Sequence, residues 1–392
     1  MAVEVRTPEP MLGPALAGSR PVDATAVKKP VKAWAVFGGA WLALYLYILI
    51  DWVTGPYFKR VHTGPTHEPS WMTTLFTIYV PFGALATLGV VYWFVIRPRI
   101  REKRFTTDGL LVLSFFLLVV QDPWINYYQP TFTYNAWFFN MGSWVNSIPG
   151  WQSIAAGHPG HMFAEPLFFI VPAYIYMLFP IALGCTWVMR AMKRRYPSIG
   201  VLGLISTAVV FGTVLDLVCE GAWVRLGFYN YWSTVPGLTL WPSHYYHFPI
   251  YESVLTAFWW SGFAALRYYK DDKGYTFVER GIDQVKAPTG AKTFMRFLAI
   301  LGAGSTIYLV TYDIPYQWFN LQAGTWPRNV QQRSYFTDGI CGPQSGEACP
   351  SPYMPLSRKG DVVHFDQFGH VVVPSNIAAP AFDTVKRFEK TS

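Results

Sequence analysis

The stretch IGVLGLISTAVVFGTVLDLVCEGAWVRLGFYNYWS, Ile199–Ser233, decides how the chain folds. It opens as an apolar run long enough to cross a bilayer, for which about 20 residues suffice. Its far end carries Asp216 and Glu220, then Arg225 in an aromatic cluster with Phe228, Tyr229, Tyr231 and Trp232. Residues four apart share a helix face, so the two carboxylates lie one turn apart with Gly212 one turn below. Carboxylates inside a span are costly and mark functional sites; a purely structural polar network is the alternative.

Outward from this stretch, composition agrees with a membrane protein. The chain is 52% hydrophobic and 14% charged, against about 25% charged residues in soluble domains. Its 17 Trp and 24 Tyr suit broad interfacial belts. The net charge of +8 raises the question of nucleic acid, but its placement points to membrane orientation instead. Seven apolar segments are expected at about 33–53, 71–96, 108–125, 162–189, 199–222, 249–267 and 294–313. Lys and Arg number five in the tail before the first, five in 97–104, four in 190–198 and six in 267–292. The alternate loops 54–70, 121–161 and 223–248 hold two, none and one. This positive-inside pattern predicts an all-α polytopic bundle of about seven transmembrane helices, N-terminus in the cytoplasm and C-terminus outside, in a cell membrane.

Residues 1–32 are expected to be a disordered cytoplasmic tail, 33–320 the membrane domain, and 321–392 an extracytoplasmic tail. Cys341 and Cys349, in CGPQSGEAC, fall in that outer tail, where a disulfide between them would persist. Cys185 and Cys219 lie within spans and read as small core residues.

With this orientation Asp216 lies about 25 Å along its span, in the outer third. Asp51, Asp122 and Asp313 close the outer ends of spans one, three and seven, and Glu165 and Glu252 open spans four and six from the same side. Each alone reads as a solvated cap or helix N-terminus. Glu252 follows Pro249 by three residues, and Pro166 would make Glu165 an N-cap. Together they converge on one depth with Arg225 the nearest cation. Desolvation and like charge both oppose ionising such a cluster. A carboxylic acid kept protonated is a general acid, and an ionised neighbour a base.

The loop 121–161 is aromatic and amide-rich and is expected to pack on the bundle as a lid. It ends in His158 and His161, while WPSHYYHFPIYE supplies His244 and His247. Two H-x-x-H pairs could hold Zn, Fe or Cu, although their spacing is not the i, i+4 of helical zinc motifs. Seven spans suggest a retinal protein, but 294–313 has no lysine for a Schiff base.

The blocks WVTGPYF (Trp52 to Phe58), QDPWINYY, HPGHMFAEP, DLVCEG…GFYNYW and HFPIYE resemble the AveC-like spirocyclase family, over about residues 33–320. These are integral membrane proteins of actinobacteria named for the enzyme that closes the avermectin spiroketal. The E-G…G-F-Y-N-Y part is also similar to membrane carotenoid hydratases and cyclases, which protonate or hydrate polyenes, so a dehydratase or hydratase acting on an isoprenoid stays open beside the cyclase. The resemblance implies cofactor-free spiroketal closure of a lipophilic polyketide: an acid expels water from a hemiketal, and a base activates a second hydroxyl. From the residues themselves, Asp216 and Glu220 are expected as the central pair and Glu165 as acid or base partner. Asp122 and Glu252 come next, His161 and His247 serve as proton relays, and Arg225 holds one carboxylate ionised. Tyr229, Tyr231, Trp124, Tyr127, Trp223 and Tyr251 are expected to bind substrate. Two other classes remain: a metal oxidoreductase ligated by His158, His161, His244 and His247, and a transporter or binding protein using the same carboxylates. The absence of any visible repeat weakens the transporter.

Overall fold

The computed structural model describes residues 29–153, 159–324, 326–337 and 340–342, and a strand pair at His364–Phe365 and Val371–Val372. The expected tail over residues 1–32 lies almost wholly outside the described residues, as do His158 and Cys349.

Seven long helices carry the fold. They are α1 (Pro30–Thr54), α2 (Ser70–Arg101), α3 (Thr107–Asn126), α4 (Ile170–Arg195), α5 (Val201–Arg225), α6 (Ile250–Tyr268) and α7 (Thr289–Asn320). All but α6 are long and apolar enough to cross a membrane. Helix α6 is less apolar because it carries Glu252, Ser253, Thr256 and Ser261, all buried against its neighbours. That is where a polar side chain belongs in a membrane helix, since lipid offers it no partner.

Span four differs from the sequence expectation at its start. Helix α4 begins at Ile170, and Glu165 is no N-cap. Residues 162–169 are held as a loop because Asn140 pairs with Pro166, and Pro166 accepts the backbone N–H groups of Phe169 and Ile170. Helices α4 and α7 each contain a π-helical turn, Tyr174–Leu178 and Leu309–Asp313. The last turns of α3, Val119–Asn126, are 3₁₀ around Pro123. Such irregular turns are frequent at functional sites.

Helix α1 lies along α7, α5 along α6, and α4 against both α5 and α6. Close approach rests on small residues, as is usual where lipid supplies no hydrophobic drive. A Cβ on Gly38 of α1 would run into the carbonyl oxygen of Leu298 of α7, and one on Gly302 would lie 2.8 Å from the Gly38 nitrogen. The loops at one end pack onto the bundle. Strand β1 (Phe132–Tyr134) pairs antiparallel with β2 (Tyr229–Tyr231), tying the aromatic loop after α3 to the one after α5. A second pair, β3 (Thr239–Leu240) and β4 (Phe248–Pro249), closes the latter loop before α6.

Acidic residues are treated differently at the two ends. Near one end Asp108 pairs with Arg267 at 2.8 Å and Glu279 with Arg296 at 2.7 Å. At the other, Asp122, Asp216, Glu220, Glu252 and Asp313 make no ion pair among the described residues.

The α1–α7 contact sets a direct test. Gly38→Ala forces the two backbones apart and is expected to cost about 1–3 kcal/mol, read as a lower melting temperature in detergent. Gly39→Ala meets nothing within 4 Å and is expected to leave melting unchanged.

Candidate active site

Helix α5 buries one stripe: Leu204, Ala208, Gly212 and Asp216, at a spacing of four. Gly212 is what lets α6 approach. A Cβ there would stand 3.0 Å from the Cβ of Ala257. One turn outward from this contact the helices present Asp216 and Glu220 on one side and Glu252 on the other. Their carboxylates each offer an oxygen within 4.8 Å of the other two. The pairing expected as central therefore becomes a trio. Asp216 is fully buried behind it, facing Glu252 and Ser253.

Glu220 and Glu252 line a cavity that Asp216 does not reach. Tyr231 donates a hydrogen bond to Glu220 at 3.1 Å. Thr256 and Tyr312 donate to Glu252 at 2.6 and 3.1 Å. Asp122 stands on another wall of the same cavity. It accepts from Tyr134 at 2.7 Å and Tyr174 at 2.9 Å, and Tyr174 is in turn 2.6 Å from the Tyr308 hydroxyl. A hydrogen bond to a charged group contributes about 1.5–3 kcal/mol, so these hydroxyls hold both acidic poles in place. The remaining walls are aromatic and apolar, Phe132, Trp223, Tyr229 and Trp259 among them. Water-sized centres can occupy about 50 Å³ of the cavity, room for a few waters and far below the 300 Å³ and more of a drug-sized site. It has room for a small group and no more.

Among the expected binding residues, Trp223, Tyr229 and Tyr231 line this cavity. The β1–β2 ladder does this, since Tyr134 lies opposite Tyr229 and Phe132 opposite Tyr231. Others are displaced. Glu165 is buried but turns to Ser143, which donates to it at 3.1 Å, and it does not line the cavity. Arg225 is exposed, with its guanidinium 4.8 Å from the centre of the Tyr246 ring and 5.7 Å from Trp241. Among the described residues it forms no salt bridge, so the carboxylate partner expected for it is not found there. Trp124 and Tyr127 line a separate crevice with Asp313 and Gln317. Tyr251 stacks on Phe319 at 4.3 Å, outside the cavity. Asp313 accepts from Gln121 at 3.1 Å, and Asp51 is exposed.

Among the described residues, His161, His244 and His247 do not converge as the relay or the metal set expected of them; His158 lies outside the described residues. His161 is exposed. His244 stacks on Tyr246 at 4.6 Å. The Nδ1 of His247 lies 2.9 Å from the His244 carbonyl oxygen, and its ring is buried away from the cavity. Among the described residues, the only group of His, Cys, Asp and Glu converging closely enough to hold an ion is Asp216, Glu220 and Glu252. Its all-oxygen character suits a hard divalent cation better than a redox metal.

Sequence reasoning missed Tyr134, Tyr174, Tyr308, Tyr312 and Thr256. A signal for two of them was present, because Tyr308, Tyr312 and Tyr316 recur every four residues on α7 and stack at 5.3 and 5.5 Å. Tyr134 and Tyr174 had none. They reach Asp122 only through the loop pairing and the π-helical turn.

The family model described as "Spirocyclase AveC-like" matches residues 102–336, which spans the cavity and its walls. No curated protein and no solved structure matches the chain.

Burial pushes the His247 imidazole down from 6.5 to about 4, leaving it neutral in the folded protein near pH 7. The unfolded chain takes up that proton first as pH falls, so the associated stability is complete above 6.5 and lost toward 4. At about 1.36 kcal/mol per pKa unit this is about 3 kcal/mol. His247→Gln, which keeps a donor for the His244 carbonyl, is expected to flatten that part of the acid limb in pH-dependent melting.

Proposed function

The chain belongs to the AveC-like spirocyclase family, and on that premise we propose that it is a membrane-embedded cyclase that closes a spiroketal on a lipophilic polyketide by acid–base catalysis. One observation carries the reading: two acidic poles, Glu220–Glu252 and Asp122, line one aromatic cavity that holds no Lys or Arg. Spiroketal closure needs such a pair. The chain crosses the membrane seven times, α6 included, with its N-terminus in the cytoplasm; the asymmetric Lys and Arg of the loops support this. The cavity then opens in the outer half, and a lipophilic substrate reaches it from the bilayer.

The acid is assigned to Glu220–Glu252, backed by Asp216. Three carboxyl groups in contact, without a cation, share protons rather than all ionise. The base is assigned to Asp122, which stands apart from the trio on another wall of the cavity, with two tyrosine hydroxyls to orient its carboxyl group. A glutamic acid protonates the hemiketal hydroxyl of the bound substrate. The carbon–oxygen bond breaks, water leaves, and an oxocarbenium ion forms. A second hydroxyl attacks that carbon as Asp122 takes its proton, which completes the ring. The developing cation sits among carboxylates and the faces of Trp223, Trp259 and Tyr229, where charge and ring quadrupoles stabilise it.

A symmetric dihydroxyketone with four carbons between the carbonyl and each hydroxyl serves as probe, with the enantiomeric excess of its spiroketal as readout. Glu220→Gln, Glu252→Gln and Asp122→Asn are each expected to lower kcat by about 10²–10⁴-fold, the usual share of a general acid or base, with melting retained. Wild-type turnover in all three overturns the assignment. A divalent cation is the other occupant that the trio admits. Loss of activity on EDTA treatment, with recovery in Mg²⁺ or Ca²⁺, would assign the trio to it instead.

A further inference from the structure

The cavity is too small for a polyketide, yet a larger groove lies on the other side of one of its walls. This groove opens on the outside of the bundle, between α2 and the aromatic loop, and offers about 330 Å³ on the measure that gives the cavity 50 Å³. Its floor is Thr77, Val80 and Pro81 of α2, and its sides include Phe139 and Phe168, both exposed. Phe169 separates the two spaces. It lines the groove, is 2% exposed, and stacks on Phe138 at 5.0 Å. On its inner side it meets two cavity residues, Trp223 at 5.3 Å and Tyr134 at 6.0 Å between ring centres. Phe169 stands in the residue before α4, just ahead of the π-helical turn that carries Tyr174.

One charged residue lines this greasy slot. Arg60 is exposed and, among the described residues, its side chain makes no hydrogen bond, ion pair or ring contact. The hydroxyl in the wall is engaged nearby: Thr77 donates to the Thr73 carbonyl at 2.8 Å. An unpaired guanidinium over an apolar slot complements an amphiphile with an anionic end.

We propose that the groove binds the distal part of the cavity's own substrate, and that this substrate is a lipophilic chain ending in a carboxylate, seated against Arg60 with its reacting end passing Phe169 into the cavity. The proposal rests on the cyclase reading for what happens in the cavity, but binding is measurable without turnover. It accounts for the mismatch in size: the groove holds the chain, and the cavity encloses only the carbons that react.

The test uses the full chain in phosphatidylcholine nanodiscs and two photoaffinity probes, a long-chain fatty acid with a diazirine at its terminal carbon and the matching fatty alcohol. The acid is expected to label peptides containing Trp223 or Tyr134. Arg60→Gln is expected to lower that labelling about tenfold, which corresponds to about 1.4 kcal/mol, without changing the weak labelling by the alcohol. Phe169→Trp, which thickens the partition, is expected to move the label from cavity peptides to Phe139 and Phe168. Equal labelling by acid and alcohol, indifference to Arg60→Gln, or displacement of the acid by phosphatidylglycerol in the disc would each overturn the proposal, the last by assigning the groove to membrane phospholipid. A failed cyclase assay with intact labelling would count against the reaction and leave the groove standing.

Discussion

The contact between α5 and α6 at Gly212 and Ala257 is what the site depends on. Two helices that meet without a side chain between them hold their next turns close, and those turns carry Asp216, Glu220 and Glu252. A larger residue at either position would separate the carboxylates and admit lipid or water. The resulting proximity is unfavourable for three charges and is offset by hydroxyl donors and shared protons. The protein thus concentrates acid where the membrane would otherwise exclude it.

Around that contact the polar architecture is asymmetric. Acidic residues near one end of the bundle are matched with arginines, which makes Asp108 and Glu279 fasteners between helices. At the other end Asp122, Glu220 and Glu252, the three that line the cavity, are matched with tyrosines. A phenol donates one hydrogen bond without bringing a charge, so it fixes a carboxyl group in place and leaves its proton available. The same rings supply the walls, so one residue type both orients the carboxyl groups and encloses the cavity. Irregular turns in α3, α4 and α7 bring Asp122, Tyr174 and Tyr312 to this surface, which ideal helices would have to reach by a different path.

Comparing expectation with structure locates where each kind of information resides. Asp216 and Glu220 were legible because the i, i+4 spacing and an apolar span are properties of one helix. Glu252 looked like a helix-start residue, which it also is, and its role comes from the helix lying opposite. Glu165, Arg225, Trp124, Tyr127 and Tyr251 were grouped with the site because the order of the spans and loops assigns them the same depth. Depth is one coordinate; the direction in which a side chain leaves its helix is another, and it sends them to Ser143, Tyr246, a separate crevice or Phe319. His244 and His247 miss the site for the same reason, being turned to backbone and rings of their own loop.

The sequence by itself determined a helical chain with spans apolar enough for a membrane, the family, and an acidic zone among aromatics, because hydropathy and local spacing act along the chain. Only the tertiary structure decided which acids meet, which tyrosines hold them, and where the lining narrows to Phe169. Those relations depend on how close two helices can come and how loops pair across the bundle, and a single strand of text does not encode either directly.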